Sequence, residues 1–354
     1  MNWDFQEGPL NVVTTSFHTC SKVFRQGKVA IMLSLELKLA IWVVMGFIAI
    51  LATFFNLYIM LMSLQIHRTN GHWTPSETII IALSLAGSTY QFLSYTWVTF
   101  QEMDKNCYLD RGIEPLLLAL VFSLKFTIIW ITAFLTFYYS TKLVIEPISC
   151  YTKIQEAFFK HVGTVVMVIP ICGFSSCMPL MTVLTLTNST SSSSCSEATA
   201  ISHSWVIYIG CYLVITDIAP GLLILKSSIS ITFHLVIHLR HMKDSNNGFH
   251  KPKLGTEMRV IRMNLMLVAA FLCFLGVDLF THYLNVVQAE KNLSIIMFFT
   301  CIYFTVNSMV LIYGRKSFWK ELLHQYNHFL DEFPCLNCLK VPETKIKVNP
   351  SPGH

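Results

Sequence analysis

Residues 116–142, LLLALVFSLKFTIIWITAFLTFYYSTK, constrain the fold of this chain more than any other stretch. About 20 apolar residues, each rising about 1.5 Å, cross the hydrocarbon of a bilayer. This stretch is long enough, yet it holds a cation, Lys125, deep inside. An ionisable group at that depth is costly and marks a candidate functional position. Thr132, Thr136 and Tyr139 follow Lys125 by seven, eleven and fourteen residues, which places four polar groups on one helical face. Such a stripe has to face protein or a wet cavity. The stretch is therefore expected to be the central helix of a bundle.

Six further apolar runs accompany it, at about 37–64, 75–100, 162–186, 205–237, 263–283 and 293–313. The chain is 53% hydrophobic and only 13% charged, about half the charge of a soluble domain. The expected fold class is an all-α membrane protein with a seven-transmembrane helix bundle. Residues 1–36 would form an N-terminal segment, 37–314 the membrane domain and 315–354 a tail. No signal-peptide core precedes the first run, so that run is expected to start insertion.

Charge fixes the expected orientation. The loops after the first, third and fifth runs are basic, with Arg68, then Lys142, Lys153 and Lys160, then Arg240, Lys243, Lys251, Lys253, Arg259 and Arg262. The loops after the second, fourth and sixth are acidic or neutral. Lys and Arg gather on the cytoplasmic side, which puts the N-terminus outside and the C-terminus inside. Basic residues confined to short loops speak for membrane orientation and lipid, and against nucleic acid as a partner.

Other signals are weaker. Asn188-Ser189-Thr190 is a glycosylation sequon in a loop the charge rule places outside. Phe318, Leu322, Leu323, Tyr326 and Phe329 or Leu330 fall on one side of a short amphipathic helix at the membrane surface. The eleven cysteines form neither a disulfide framework nor a zinc pattern, and Cys335 and Cys338 are expected to be a reduced pair. Metalloprotease, hydrolase and phosphate-loop signatures are absent, so no enzyme, cofactor or metal is expected. No internal repeat supports a transporter, which leaves a multi-span channel or transporter as the weak rival class.

Several spacings resemble those of the type 2 taste receptors, the bitter receptors, among G-protein-coupled receptors. Trp130, Leu135, Tyr139 and Lys142 keep that family's third-helix spacing. Pro220, His238 and Met242 keep the fifth-helix spacing. Asn56 to Ile59, then Leu85, Ala86 and Ser88, then Ser308, Leu311 and Ile312 are similar to its first, second and seventh helices. Thr89 and Asn307 stand where the family has arginine and histidine, and Glu257 and Arg262 replace its sixth-helix His-x-x-x-x-Lys. The long N-terminal segment is a further departure. Vomeronasal type 1 receptors are the related alternative. They carry a cysteine where this chain reads Glu114-Pro115-Leu116, and a pairing of Cys107 with Cys195 stays open.

The resemblance implies a plasma-membrane receptor that binds small organic ligands in a transmembrane cavity and activates a gustducin-like heterotrimeric G protein. Lys125, Val121, Phe126, Ile129, Asp278 and His282 would line the cavity, and Asn188 would carry glycan. The plainer alternative for Lys125 is an ion pair with Asp217 or Asp278. Tyr139, Lys142, His238 and Met242 would form the switch facing the G protein; as a plainer reading they are a basic rim drawn to anionic lipid.

Overall fold

A computed structural model describes residues 10–103, 113–143, 160–189, 203–244, 255–288 and 293–332. All of the regular structure among them is helical. Residues 1–47 and 48–354 are two separate units. The first is helical from Leu10 onward, where the sequence offers no motif. The second holds the bundle.

The helices are α1 (Leu10–Asn70), α2 (Pro75–Met103), α3 (Ile113–Leu143), α4 (Val162–Ser189), α5 (His203–Leu213), α6 (Ala219–Asp244), α7 (Gly255–Gln288), α8 (Leu293–Gly314) and α9 (Lys316–Asp331). A π-helical turn, Val214–Ile218, joins α5 to α6. Six stretches are long and apolar enough to cross a membrane: Lys38–Thr69, Ile113–Lys142, Val162–Thr182, Ser204–His234, Met258–Val286 and Leu293–Gly314. The chain is a helical, multi-pass membrane protein.

Helix α2 is of similar length but falls outside that set. Its polar residues explain why. Ser84, Gln91 and Ser94 are all buried, and they point into protein. Gln91 donates to the Cys301 carbonyl of α8 at 3.1 Å, and Ser94 lies 3.4 Å from the Cys301 thiol. Helix α2 packs on α3, α4 and α8.

Helix α3 is central, as its polar stripe requires. In its most apolar stretch 78% of the residues are buried, more than in any other span. It touches α2, α4, the π turn, α6 and α7. Lys125, Thr132, Thr136 and Tyr139 are all buried.

Local chemistry sets the helix ends. Gly71, at φ +75°, closes α1 by donating its N–H to the His67 carbonyl at 2.8 Å. Only a residue without Cβ adopts that conformation without strain. Three residues later Thr74 and Glu77 form a reciprocal cap around Pro75. The Thr74 N–H donates to Glu77 Oε2 at 3.0 Å, and the Glu77 N–H donates to Thr74 Oγ1 at 3.3 Å.

Arg315 is extended and separates α8 from α9. Its guanidinium donates to Ser76 Oγ at 3.0 Å and sits 3.9 Å from Glu77. Tyr58 OH donates to the Phe318 carbonyl at 2.7 Å. These contacts moor the start of α9 to α1 and α2. Phe318 and Leu330 are the buried side of α9, while Tyr326 and Phe329 are exposed.

Candidate functional site: a buried charge cluster at the centre of the bundle

The π turn comes from Pro220. A proline has no N–H, so it cannot continue the backbone ladder toward the carbonyls four and five residues before it, at Thr216 and Ile215. The Ala219 N–H bonds instead to the Val214 carbonyl, the longer π spacing. The Ile215 carbonyl is left without a backbone donor, and Trp130 Nε1 of α3 supplies one at 3.1 Å. Two residues that the sequence singles out separately, Trp130 and Pro220, thus belong to one local arrangement.

The same turn carries Thr216 and Asp217, both fully buried. Asp217 Oδ2 lies 3.5 Å from Lys125 Nζ. On the other side, Lys125 donates to Asp278 Oδ2 of α7 at 2.9 Å. His282, one turn further along α7, places Nε2 3.8 Å from the same Asp278 oxygen. The Lys125 ammonium also sits 5.3 Å from the centre of the Phe274 ring, within reach of a cation–π attraction. Phe274 stacks on Tyr303 of α8 at 4.4 Å. Lys125 therefore joins α3, the π turn and α7 through charge in a medium that screens little.

The structure brings together three of the six ligand candidates: Lys125, Asp278 and His282. Val121 and Ile129 are buried on α3. Phe126 turns toward α4, against Gly173, where a Cβ would come within 2.9 Å of its ring. Asp217 enters the cluster as a full member. The sequence offers it as a pairing partner for Lys125; it does not show that both aspartates engage the lysine at once.

A second polar layer lies further along α3. Asn307 of α8 donates to Thr132 Oγ1 at 3.0 Å. Next to it, Ser308 donates to Asn56 Oδ1 at 2.7 Å. The Asn56 amide rests over Gly87 of α2, where a Cβ would be 3.1 Å away. Asn56 and Ser308 are residues of the motifs that carry the family resemblance, and here they touch.

The stripe ends at a cavity of about 990 Å³ whose lining includes Gln65, Glu77, Tyr139, Arg259, Met263 and Arg315. Tyr139 thus opens onto it, and Lys142, one turn on, is exposed. The backbone places His238 and Met242 on α6 and Asn188 in the last turn of α4. Their side chains lie outside the described residues, as do Cys107, Cys195, Cys335 and Cys338. Among the described residues no group of three or more His, Cys, Asp or Glu could hold a metal ion.

No protein-family model matches the chain, and no curated protein matches it.

Proposed function

We propose that this chain is a seven-span G-protein-coupled chemosensory receptor of the plasma membrane, most similar in type to the bitter taste receptors. In this reading α2 is the seventh span. The N-terminus lies outside, by the distribution of Lys and Arg. The observation that carries the reading is the meeting of motif positions from distant helices: Asn56 with Ser308, and Trp130 with the carbonyl that Pro220 leaves unpaired. These residues belong to the motifs behind the resemblance, and their mutual bonding gives the shared spacing a structural reason.

The bundle offers what a two-state receptor needs. The charge cluster ties α3, the π turn and α7 near mid-membrane. A polar stripe leads from it to a cavity whose lining includes Tyr139, Arg259 and Arg315, at the cytoplasmic end in this orientation. A small organic ligand that competes for Lys125, Asp278 or His282 would bind one arrangement better than another. That difference in affinity shifts the population. The cavity would then receive a gustducin-like G protein. A vomeronasal type 1-like receptor would share this mechanism and differ in ligand.

The test is calcium release in cells that express the chain with a promiscuous or gustducin-tailed G protein. Cells are exposed to a panel of bitter compounds. A dose-dependent response that needs the G protein supports the receptor reading. Loss of that response in Lys125→Ala, at unchanged surface expression, assigns the ligand to the charge cluster. A current independent of any G protein overturns the reading in favour of a channel.

A further inference from the structure

The central cluster does not balance its own charge. In their ordinary ionised forms Lys125 contributes one positive charge and Asp217 and Asp278 two negative ones. All three side chains are at most 5% exposed. A buried net charge is among the most costly features a protein interior can hold. The groups that face the cluster from neighbouring elements are few. Tyr303 reaches toward it from α8 beneath Phe274. Tyr212 of α5 donates its hydroxyl to the Phe122 carbonyl at 2.7 Å. Buried Tyr90 of α2 interacts with Asp278 as well, and none of the three supplies positive charge. Among the described residues His282 is the only other side chain paired with this cluster that can, and only by taking a proton.

Two unfilled valences point the same way. His282 Nε2 is buried and has no hydrogen-bond partner, although it faces Asp278 at 3.8 Å. Asp217 Oδ1 is buried without a hydrogen-bond partner as well, and its Oδ2 has only the Lys125 ammonium, at 3.5 Å. A proton on either residue would turn an orphan acceptor into a donor. Access exists on the side away from Tyr139. His282 lines a cavity of about 20 Å³ together with Trp205, Ile209, Asn285 and Leu293. That is room for about one water molecule, which could pass a proton to Nε2.

We propose that the Lys125–Asp217–Asp278–His282 cluster is a binding site for one exogenous proton, taken up through the small cavity beside His282 and Asn285. The proton is transferred from water to His282 Nε2 or to an Asp217 oxygen, and no other bond changes. With it the cluster carries no net charge. Without it α3, the π turn and α7 surround a net negative charge. Acid should therefore stabilise this bundle, opposite in sign to ordinary acid destabilisation.

The experiment is thermal unfolding of the purified full-length protein in detergent between about pH 5.5 and pH 8.5. Choline chloride is the only added salt, and a parallel series uses sodium chloride. The wild type is expected to gain about 3 °C or more on acidification across this range. Asp217→Asn removes the excess negative charge and should be flat. Should that variant not fold, Asp278→Asn removes the same charge and is read in its place. If His282→Gln is flat too, the proton resides on the histidine; if it keeps the wild-type slope, the proton resides on Asp217. Either result supports the proposal. A wild type that is flat or loses stability on acidification overturns it. Parallel profiles in wild type and Asp217→Asn also overturn it. A stabilisation that needs sodium and ignores pH overturns it in favour of a metal ion.

Discussion

Lys125 and Asp278 are 153 positions apart in the chain, and their side chains meet at 2.9 Å in the middle of the bundle. The pair is more than a local bond, because Asp217 approaches the same ammonium from the π turn at 3.5 Å. Removing the lysine alone would leave two carboxylates buried with no cation. Lys125→Met is therefore expected to destabilise the protein by about 3–5 kcal/mol. Adding Asp217→Asn and Asp278→Asn to it should recover most of that loss, since an uncharged core needs no pairing. Thermal unfolding of the purified single and triple variants checks this. Equal stability of the two would show that the charge has no net role.

The Trp130 indole and Pro220 are coupled through the Ile215 carbonyl. Trp130→Phe keeps the ring but leaves that carbonyl without a donor, at an expected cost of about 1–3 kcal/mol. Pro220→Ala restores a backbone N–H, so α5 and α6 can join as a regular helix. In that background Trp130→Phe should cost much less. A double-mutant cycle on unfolding midpoints measures the coupling, and an additive result would contradict the account of the π turn.

Asn56 bridges α1 to α8 and rests on α2. Ser308 has a second acceptor in the Phe304 carbonyl at 3.1 Å, so its hydroxyl is not stranded when Asn56 is lost. Asn56→Ala should therefore cost only about 1 kcal/mol. Gly87→Ala would bring a methyl within 3.1 Å of the Asn56 amide. The two changes should be non-additive, with Gly87→Ala milder once Asn56 is alanine.

Gly314 of α8 sits directly against Met263 of α7. A Cβ there would overlap the Met263 thioether and lie 2.8 Å from Met263 Cβ. That last contact is close to the α7 backbone, so the methionine cannot simply swing aside. Gly314→Ala is expected to destabilise by about 1–3 kcal/mol through overpacking. Met263→Ala should relieve part of it, read as a rise in the unfolding midpoint of the double variant over Gly314→Ala.

The membrane class was legible from residues alone. Long apolar runs interrupted by short charged loops can satisfy their backbone only as helices in lipid, and their limits agree with the observed helices to within a few residues at most ends. The central place of α3 was legible too, because a helix with Lys125, Thr132, Thr136 and Tyr139 on one face has to turn that face inward. The amphipathic side of α9 was visible in part: Phe318 and Leu330 are its buried residues, and Phe329 is not.

Partnership was not legible. Periodicity says which face of a helix is polar, but it is blind to the rotation of the neighbouring helix. Asp217 sits among apolar residues one turn before a proline, and sequence alone leaves it as one of two partners for Lys125. Only the π turn, which inserts an extra residue and changes the helical register, aims Asp217 at the lysine while Asp278 holds it from α7. The sequence by itself determined that a cation would be buried and on which helix. The tertiary structure decided that two carboxylates share it, because charge balance in a bundle depends on which helices are neighbours.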